Sequence, residues 1–376
     1  MRTRTLWLLG AVTLVACGRR GFERRTIDAD SDAVLEADAP ADAAQLYNYV
    51  FVTSTKHTGN LGGLAGADAI CQARAIAGGL GGTYVAWLSS STVNAISRLG
   101  TARGWVRPDG RPVFDTQADL LAGHVLYPPR LDEFSTDQLR ASVTTGTDRN
   151  GMRSVSGTTC SDWTAADAQN VTIGDQSVAS GGFTLTGFNA TCDTPRSLYC
   201  FGVDRTRPVA AVNPTVTRTA FLGNTGMAIT GAITLAGADA RCASAALAAS
   251  LPGSYRALLA TSTASAASRF TTTGPPWART DGVLLADTAA ALFTAPYWNT
   301  GLSVDALRGG YIPFTGVWTG AATPLVAGTL ATTCSDWSTT SGLGTNGTTD
   351  DSDVSRAFAF SNTTCAQSYA LFCLQE

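Results

Sequence analysis

Nine cysteines and two histidines are the residues of this chain with the greatest scope for chemistry. A cysteine can serve as nucleophile, zinc ligand, lipid acceptor or disulfide partner. Cys17 stands alone. The other eight form two sets with matching spacing: Cys71, Cys160, Cys192, Cys200 and Cys242, Cys334, Cys365, Cys373. Neither set has the close Cys-x-x-Cys pair of a zinc site, so no metal is expected. Disulfides are the expected state, and four cysteines allow three connectivities in each set. His57 and His124 read as ordinary histidines, and none follows residue 124, so a duplicated histidine-based site is excluded. Gly-x-Ser-x-Gly elbows, phosphate loops and metalloprotease helices are absent. Asp132-Glu133 is an adjacent pair without the geometry of a glycosidase site. Asp350-Asp351-Ser352-Asp353 reads as a solvated loop, with a weak calcium site as the alternative. The expectation is a protein that is not an enzyme and carries no cofactor.

The environment of Cys17 points to lipid. Arg2 and Arg4 precede the apolar run Leu6–Ala16, which suits a signal-peptide core and is too short to span a bilayer. Leu14-Val15-Ala16-Cys17 resembles a bacterial lipobox, in which the cysteine is lipidated and becomes the first mature residue. Residues 1–16 are then the signal peptide. Gly18 stands where an aspartate would favour inner-membrane retention, so the outer membrane is expected. Residues 17–46 are rich in Ala, Asp and Pro and read as a disordered tether. Such a segment reaches roughly 30 Å by flexible-coil scaling.

The rest of the chain is a duplication. Gly66-Ala67-Asp68-Ala69-Ile70-Cys71 recurs as Gly237-Ala238-Asp239-Ala240-Arg241-Cys242, and 17 of 34 positions match across 66–99 and 237–270. Thr159-Cys160-Ser161-Asp162-Trp163 recurs as Thr333-Cys334-Ser335-Asp336-Trp337. The period is too long for a solenoid. Two globular copies are expected, 47–203 and 216–376, joined by a linker at 204–215. Within a copy, Asn48–Thr53 and Thr83–Leu88 read as strands. Gly66–Leu80 reads as a helix with Asp68 in its first turn and Gly78-Gly79 at its end. A second helix is expected from Ser90 or Ser91, with Val93, Ile96 and Leu99 inward. The class is α+β, with helices early and strands late.

The run Gly62-Gly63-Leu64-Ala65-Gly66-Ala67-Asp68…Cys71…Gly82-Thr83-Tyr84…Ala86-Trp87-Leu88, with the later Cys160…Trp163…Cys192…Tyr199-Cys200, resembles endostatin, the C-terminal domain of two vertebrate collagens. Val317-Trp318…Cys334…Trp337…Cys365…Tyr369…Cys373 carries the same resemblance in the second copy. The resemblance implies two tandem C-type-lectin-like domains. Each would have two early helices, a mixed or antiparallel sheet and two nested disulfides. The implied pairs are Cys71–Cys200, Cys160–Cys192, Cys242–Cys373 and Cys334–Cys365. The histidine cluster for endostatin-like zinc binding is missing, as are calcium-dependent lectin motifs.

Composition narrows the partners. Net charge is −3, and charged residues are 15% of the chain, so nucleic acid is not an expected partner. Residues 47–203 hold 11 basic and 12 acidic groups and residues 216–376 hold 7 and 9, which also disfavours a heparin-like polyanion. The expected function is non-catalytic binding or adhesion, recognising a glycan or protein at the cell envelope, on the surface or the periplasmic face. A structural envelope protein and a hydrolase with an unrecognised carboxylate site are the alternatives. Trp105, Tyr127, Trp277, Tyr297 and Trp298 are the candidate ligand contacts, with Tyr297-Trp298 the expected exposed pair.

Overall fold

A computed structural model describes residues 46–376, apart from 139–140, 212–214, 224–228, 308–310 and 313. The expected signal peptide, Cys17 and residues 18–45 of the expected tether lie outside the described residues. The first copy contributes β1 (Asn48–Val52), β2 (Tyr84–Ala86), β3 (Trp105–Val106), β4 (Pro112–Phe114), β5 (Ser142–Thr144), β6 (Asn170–Asp175), β7 (Asn189–Thr191) and β8 (Tyr199–Gly202). The second contributes β9 (Arg218–Gly223), β10 (Tyr255–Ala257), β11 (Trp277–Arg279), β12 (Gly316–Trp318), β13 (Leu343–Thr348), β14 (Ser361–Thr364) and β15 (Leu371–Gln375). The larger sheets run β2-β8-β1-β3-β4 and β10-β15-β9-β11; the smaller ones run β5-β6-β7 and β12-β13-β14. Each larger sheet has one parallel pair, β1 with β3 or β9 with β11, among antiparallel neighbours. The duplication in sequence is therefore a duplication in topology, and the class is α+β.

The helix Gly63–Ala77 lays Ala67, Cys71 and Ala75 on its sheet. Small side chains at this spacing let the helix approach closely. Leu235–Ala248 repeats this with Ala238, Cys242 and Ala246. The far face of the first sheet is packed with Trp87, Trp105, Phe114, Phe183 and Phe201. Disulfides join Cys71 to Cys200, Cys160 to Cys192, Cys242 to Cys373 and Cys334 to Cys365. The two outer ones tie helix to sheet, and loops of that size are worth about 5 kcal/mol in the chain-entropy model.

Three local expectations change. The first helix begins at Gly63, so Asp68 is not in its first turn. Asp68 instead accepts the Ala86 N–H at 2.9 Å and pairs with Arg98. Asp239 does the same with Ala257 and Arg269. The second helix shrinks to a 3-10 turn, Ile96–Leu99, or Ala267–Arg269 in the second copy. The Ser90 hydroxyl accepts from Val93 N and the Ser89 hydroxyl from Ala95 N, which holds the segment in turns, and Val93 is exposed. The presumed linker is strapped down where it starts: Arg205 N donates to Asn48 Oδ1 and Val209 N to Asp115 Oδ1.

The repeated Cys-Ser-Asp-Trp is a left-handed turn. Cys160 to Trp163 have φ of 50°, 52°, 53° and 68°, and Cys334 to Trp337 have 52°, 52°, 55° and 64°. Each L-residue there costs roughly 1–2 kcal/mol. The bonds that offset this strain recur in both copies. Asp162 accepts from Ser91 N and Oγ, and Asp336 from Ser262 N and Oγ. Trp163 Nε1 donates to the Ser89 carbonyl and Trp337 Nε1 to the Ala260 carbonyl.

Candidate functional site at the seam between the copies

The five aromatic candidates turn out to be mainly structural. Trp105, Trp277 and Trp298 are 0%, 1% and 1% exposed. Their indole N–H groups donate to the carbonyls of Gly202, Gln375 and Leu292. Trp298 also packs edge-on against Phe372. An indole whose ring and N–H are both satisfied inside has nothing left to offer a ligand. The expected exposed pair is thus corrected: Trp298 is core, and Tyr297 is half-buried under the Arg130 guanidinium. Tyr127 is buried, and its hydroxyl accepts from Leu284 N of the other copy. His57 is half-buried beside Thr55, with burial and the Arg74 charge lowering its pKa. His124 stacks on Tyr311 at 4.2 Å. Glu133 is ion-paired with Arg74, and Asp132 caps Phe134 and Thr136.

Asp350-Asp351-Ser352-Asp353 is the larger correction. All four residues are buried, because this segment meets residues 177–180 of the first copy. Ala179 N donates to the Asp350 carbonyl at 2.7 Å, and Ser352 N to the Ser177 carbonyl at 2.9 Å, around a bridge between Val178 and Asp351. Equivalent residues of β6 and β13 are 173 apart, as Asp175 and Thr348 are. By that shift Ser177 corresponds to Asp350 and Ala179 to Ser352, so each backbone bond is the mate of the other. This reciprocity is the signature of two-fold packing. The two copies bind each other inside one compact unit as a symmetric dimer would.

Side chains then break the symmetry. Asp351 stands where the first copy has Val178, and Arg356 where it has Phe183. Arg356 Nη1 reaches Asp175 Oδ2 at 2.6 Å, and its Nε lies 3.0 Å from Asp351 Oδ2. The second approach is close enough for charge attraction but is not directed as a hydrogen bond, so that buried oxygen accepts none. Asp350 Oδ2 accepts from Ser180 Oγ at 2.5 Å and Phe314 N at 3.0 Å. Burial, aided by the neighbouring charges of Asp175 and Asp350 and opposed by Arg356, pushes the Asp351 carboxyl up to about 7. Burial also raises Asp350, against the bonds from Ser180 and Phe314. Arg356 is held above its usual range by Asp351 and Asp175 despite its own burial.

These groups line a cleft of about 260 Å³ to which both copies contribute. Its apolar wall includes Ile173, Val178 and Leu185. Two strongly exposed aromatics belong to it, Phe188 at 68% and Phe314 at 58%. Phe314 has φ of 24° and rests edge-on against Phe360. Arg149 is exposed at the same cleft. Sequence reasoning missed Asp175, Phe188, Phe314 and Arg356. One signal was present: the acidic run has no counterpart in the first copy, and departures between copies mark where symmetry has been given up.

No group of His, Cys, Asp or Glu among the described residues is arranged to hold a metal ion. No described helix is long and apolar enough to cross a membrane. No family model matches the chain, and no curated protein is significantly similar to it.

Proposed function

We propose that this is a non-catalytic binding lipoprotein of the outer membrane, anchored through Cys17, which recognises a glycan or protein at the cell envelope in the cleft between its two copies. The copies are read as endostatin-like, C-type-lectin-like domains; the helix-to-sheet disulfides and the repeated topology support this. The observation that carries the binding reading is the cleft itself. It combines an apolar wall, exposed Phe188 and Phe314, and charged groups held by both copies. Ligand sites are typically concave and largely apolar with a few placed polar groups. Large apolar side chains left exposed beside such a site are natural contacts.

The test is a glycan and envelope-protein array, probed with the native protein and with Phe188→Ala/Phe314→Ala. A ligand whose binding falls about tenfold or more in the variant supports the reading. Ligands that bind both proteins equally place the binding surface elsewhere, and silence across the array favours a structural envelope role. Acylation at Cys17, read by mass spectrometry, and protease shaving of intact cells test the anchor and the membrane face.

One observation favours the hydrolase alternative. Burial raises Asp351 to about 7 in a cleft that also holds Asp175, and a carboxyl raised toward neutrality is what a glycosidase's general acid requires. Against it, the Arg356 guanidinium contacts both carboxylates and so takes the place between them that a scissile bond would need. Turnover of a glycoside panel that is lost in Asp351→Asn would reverse this preference.

A further inference from the structure

The chemistry of the cleft selects among ligands. We propose that it takes an ammonium or guanidinium group on an apolar stem, as presented by a lysine or arginine side chain of an envelope protein. This rests on the reading of the cleft as the ligand site.

Three carboxylates line the cleft, Asp175, Asp350 and Asp351, against one inner cation, Arg356. Arg149 is the other cation, but it is exposed, where solvent screens it. With these carboxylates ionised the inner charge is negative, and a bound cation favours that ionised state against the burial that raises Asp350 and Asp351. An anionic ligand would meet like charge, and a neutral one would leave Asp351 Oδ2 as it is, buried and accepting no hydrogen bond. An N–H donor from a cation supplies the missing bond in its stronger, charge-assisted form. Asp175 and Asp350 already have partners, Ser177 and Arg356 for one and Ser180 and Phe314 N for the other. Asp351 takes the Asp353 N–H on Oδ1 and the charge of Arg356 beside Oδ2, which leaves Oδ2 as the carboxylate oxygen with a hydrogen bond still to accept. Ile173 and Leu185 provide a surface for a methylene stem, and the Phe188 and Phe314 rings suit both a stem and a cation.

Three probes share one stem and differ in charge: n-hexylammonium, n-hexanol and n-hexanoate. Each is titrated into the purified protein and followed by calorimetry and ligand-observed NMR. Hexylammonium is expected to bind about tenfold or more tightly than hexanol, and hexanoate least. Asp351→Asn is expected to remove the margin of hexylammonium over hexanol, and Phe188→Ala to weaken both. A readout needing no variant guards against misfolding. Charged groups around Asp351 are Asp175, Asp350, Asp353, Arg356 and the bound amine. The amine favours the ionised acid, so binding near pH 7 should release protons, seen as a heat that varies with buffer ionisation. Equal binding of hexanol and hexylammonium, or no proton release, overturns the charge preference. If Phe188→Ala still weakens hexanol in that case, the cleft stands as a ligand site. Failure of all three probes overturns the inference and removes support from the cleft as well.

Discussion

Trp298→Ala separates a core tryptophan from a ligand-stacking one. The side chain is 1% exposed, lies edge-on to Phe372 at 5.6 Å and donates its indole N–H to the Leu292 carbonyl at 2.8 Å. Truncating a buried tryptophan costs about 3–5 kcal/mol. The backbone bonds from Trp298 N to Ser352 and from Arg130 to the Trp298 carbonyl remain, so the loss is packing plus one hydrogen bond. The melting shift depends on how much of the chain unfolds together. Unfolding entropy is about 2.1 cal/mol/K per residue. A cooperative unit of about 330 residues gives roughly 0.7 kcal/mol/K and a fall of about 4–7 °C. One copy melting alone, roughly 160 residues, would fall by about 9–15 °C, with a second transition left in place. The reciprocal backbone bonds between Ser177–Ala179 and Asp350–Ser352 favour the single transition. Differential scanning calorimetry reads both quantities. A shift below about 1 °C would refute the assignment of Trp298 to the core, and two transitions would refute coupling through the seam.

Two further predictions follow from strain and burial. Ser161 and Ser335 are exposed, with φ of 52° in each left-handed turn, so Ser161→Gly and Ser335→Gly should each stabilise the fold by about 1 kcal/mol in urea titrations; destabilisation would mean the turns are not strained. Asp351 has a folded pKa raised to about 7 against about 3.9 unfolded, so its proton uptake on folding stabilises fully below the unfolded value and is lost as pH rises through 7. Relative to Asp351→Asn, the native protein should lose a few kcal/mol between pH 4 and pH 7.5, at about 1.4 kcal/mol per pKa unit; parallel stability–pH curves would show that Asp351 titrates normally.

Much of each copy was legible because its determinants are local or recurrent. Ala67, Ile70, Cys71 and Ala75 at helical spacing mark the helix, and the structure buries all of them but Ile70, which is half-buried. Gly78-Gly79 can end it, and the helix stops at Ala77. The repeated Cys-Ser-Asp-Trp announced a shared structural unit, although four consecutive left-handed residues have no signature in composition. The second helix failed because Ser89 and Ser90 bond to the backbone just ahead of them, a competition that apolar spacing does not register. The tryptophans misled for a related reason. Trp105 and Trp277 sit on two- and three-residue strands too short to show a period, and their indoles are covered by the last strand of each copy, at Gly202 and Gln375, while Trp298 turns back onto Leu292 and packs on Phe372.

The sequence by itself determined that the chain is duplicated, that its cysteines divide into one and two sets of four, and that its copies are α+β. These follow from residue identity and short-range spacing, which the chain carries wherever it goes. Only the tertiary structure decided that the copies pack on each other about a pseudo-two-fold axis, and that Asp350-Asp351-Ser352-Asp353 lies buried there instead of in solvent. That placement requires Val178 and Asp351, 173 residues apart, to meet. A polar run in sequence is solvated unless another surface covers it, and the covering surface here is the other copy.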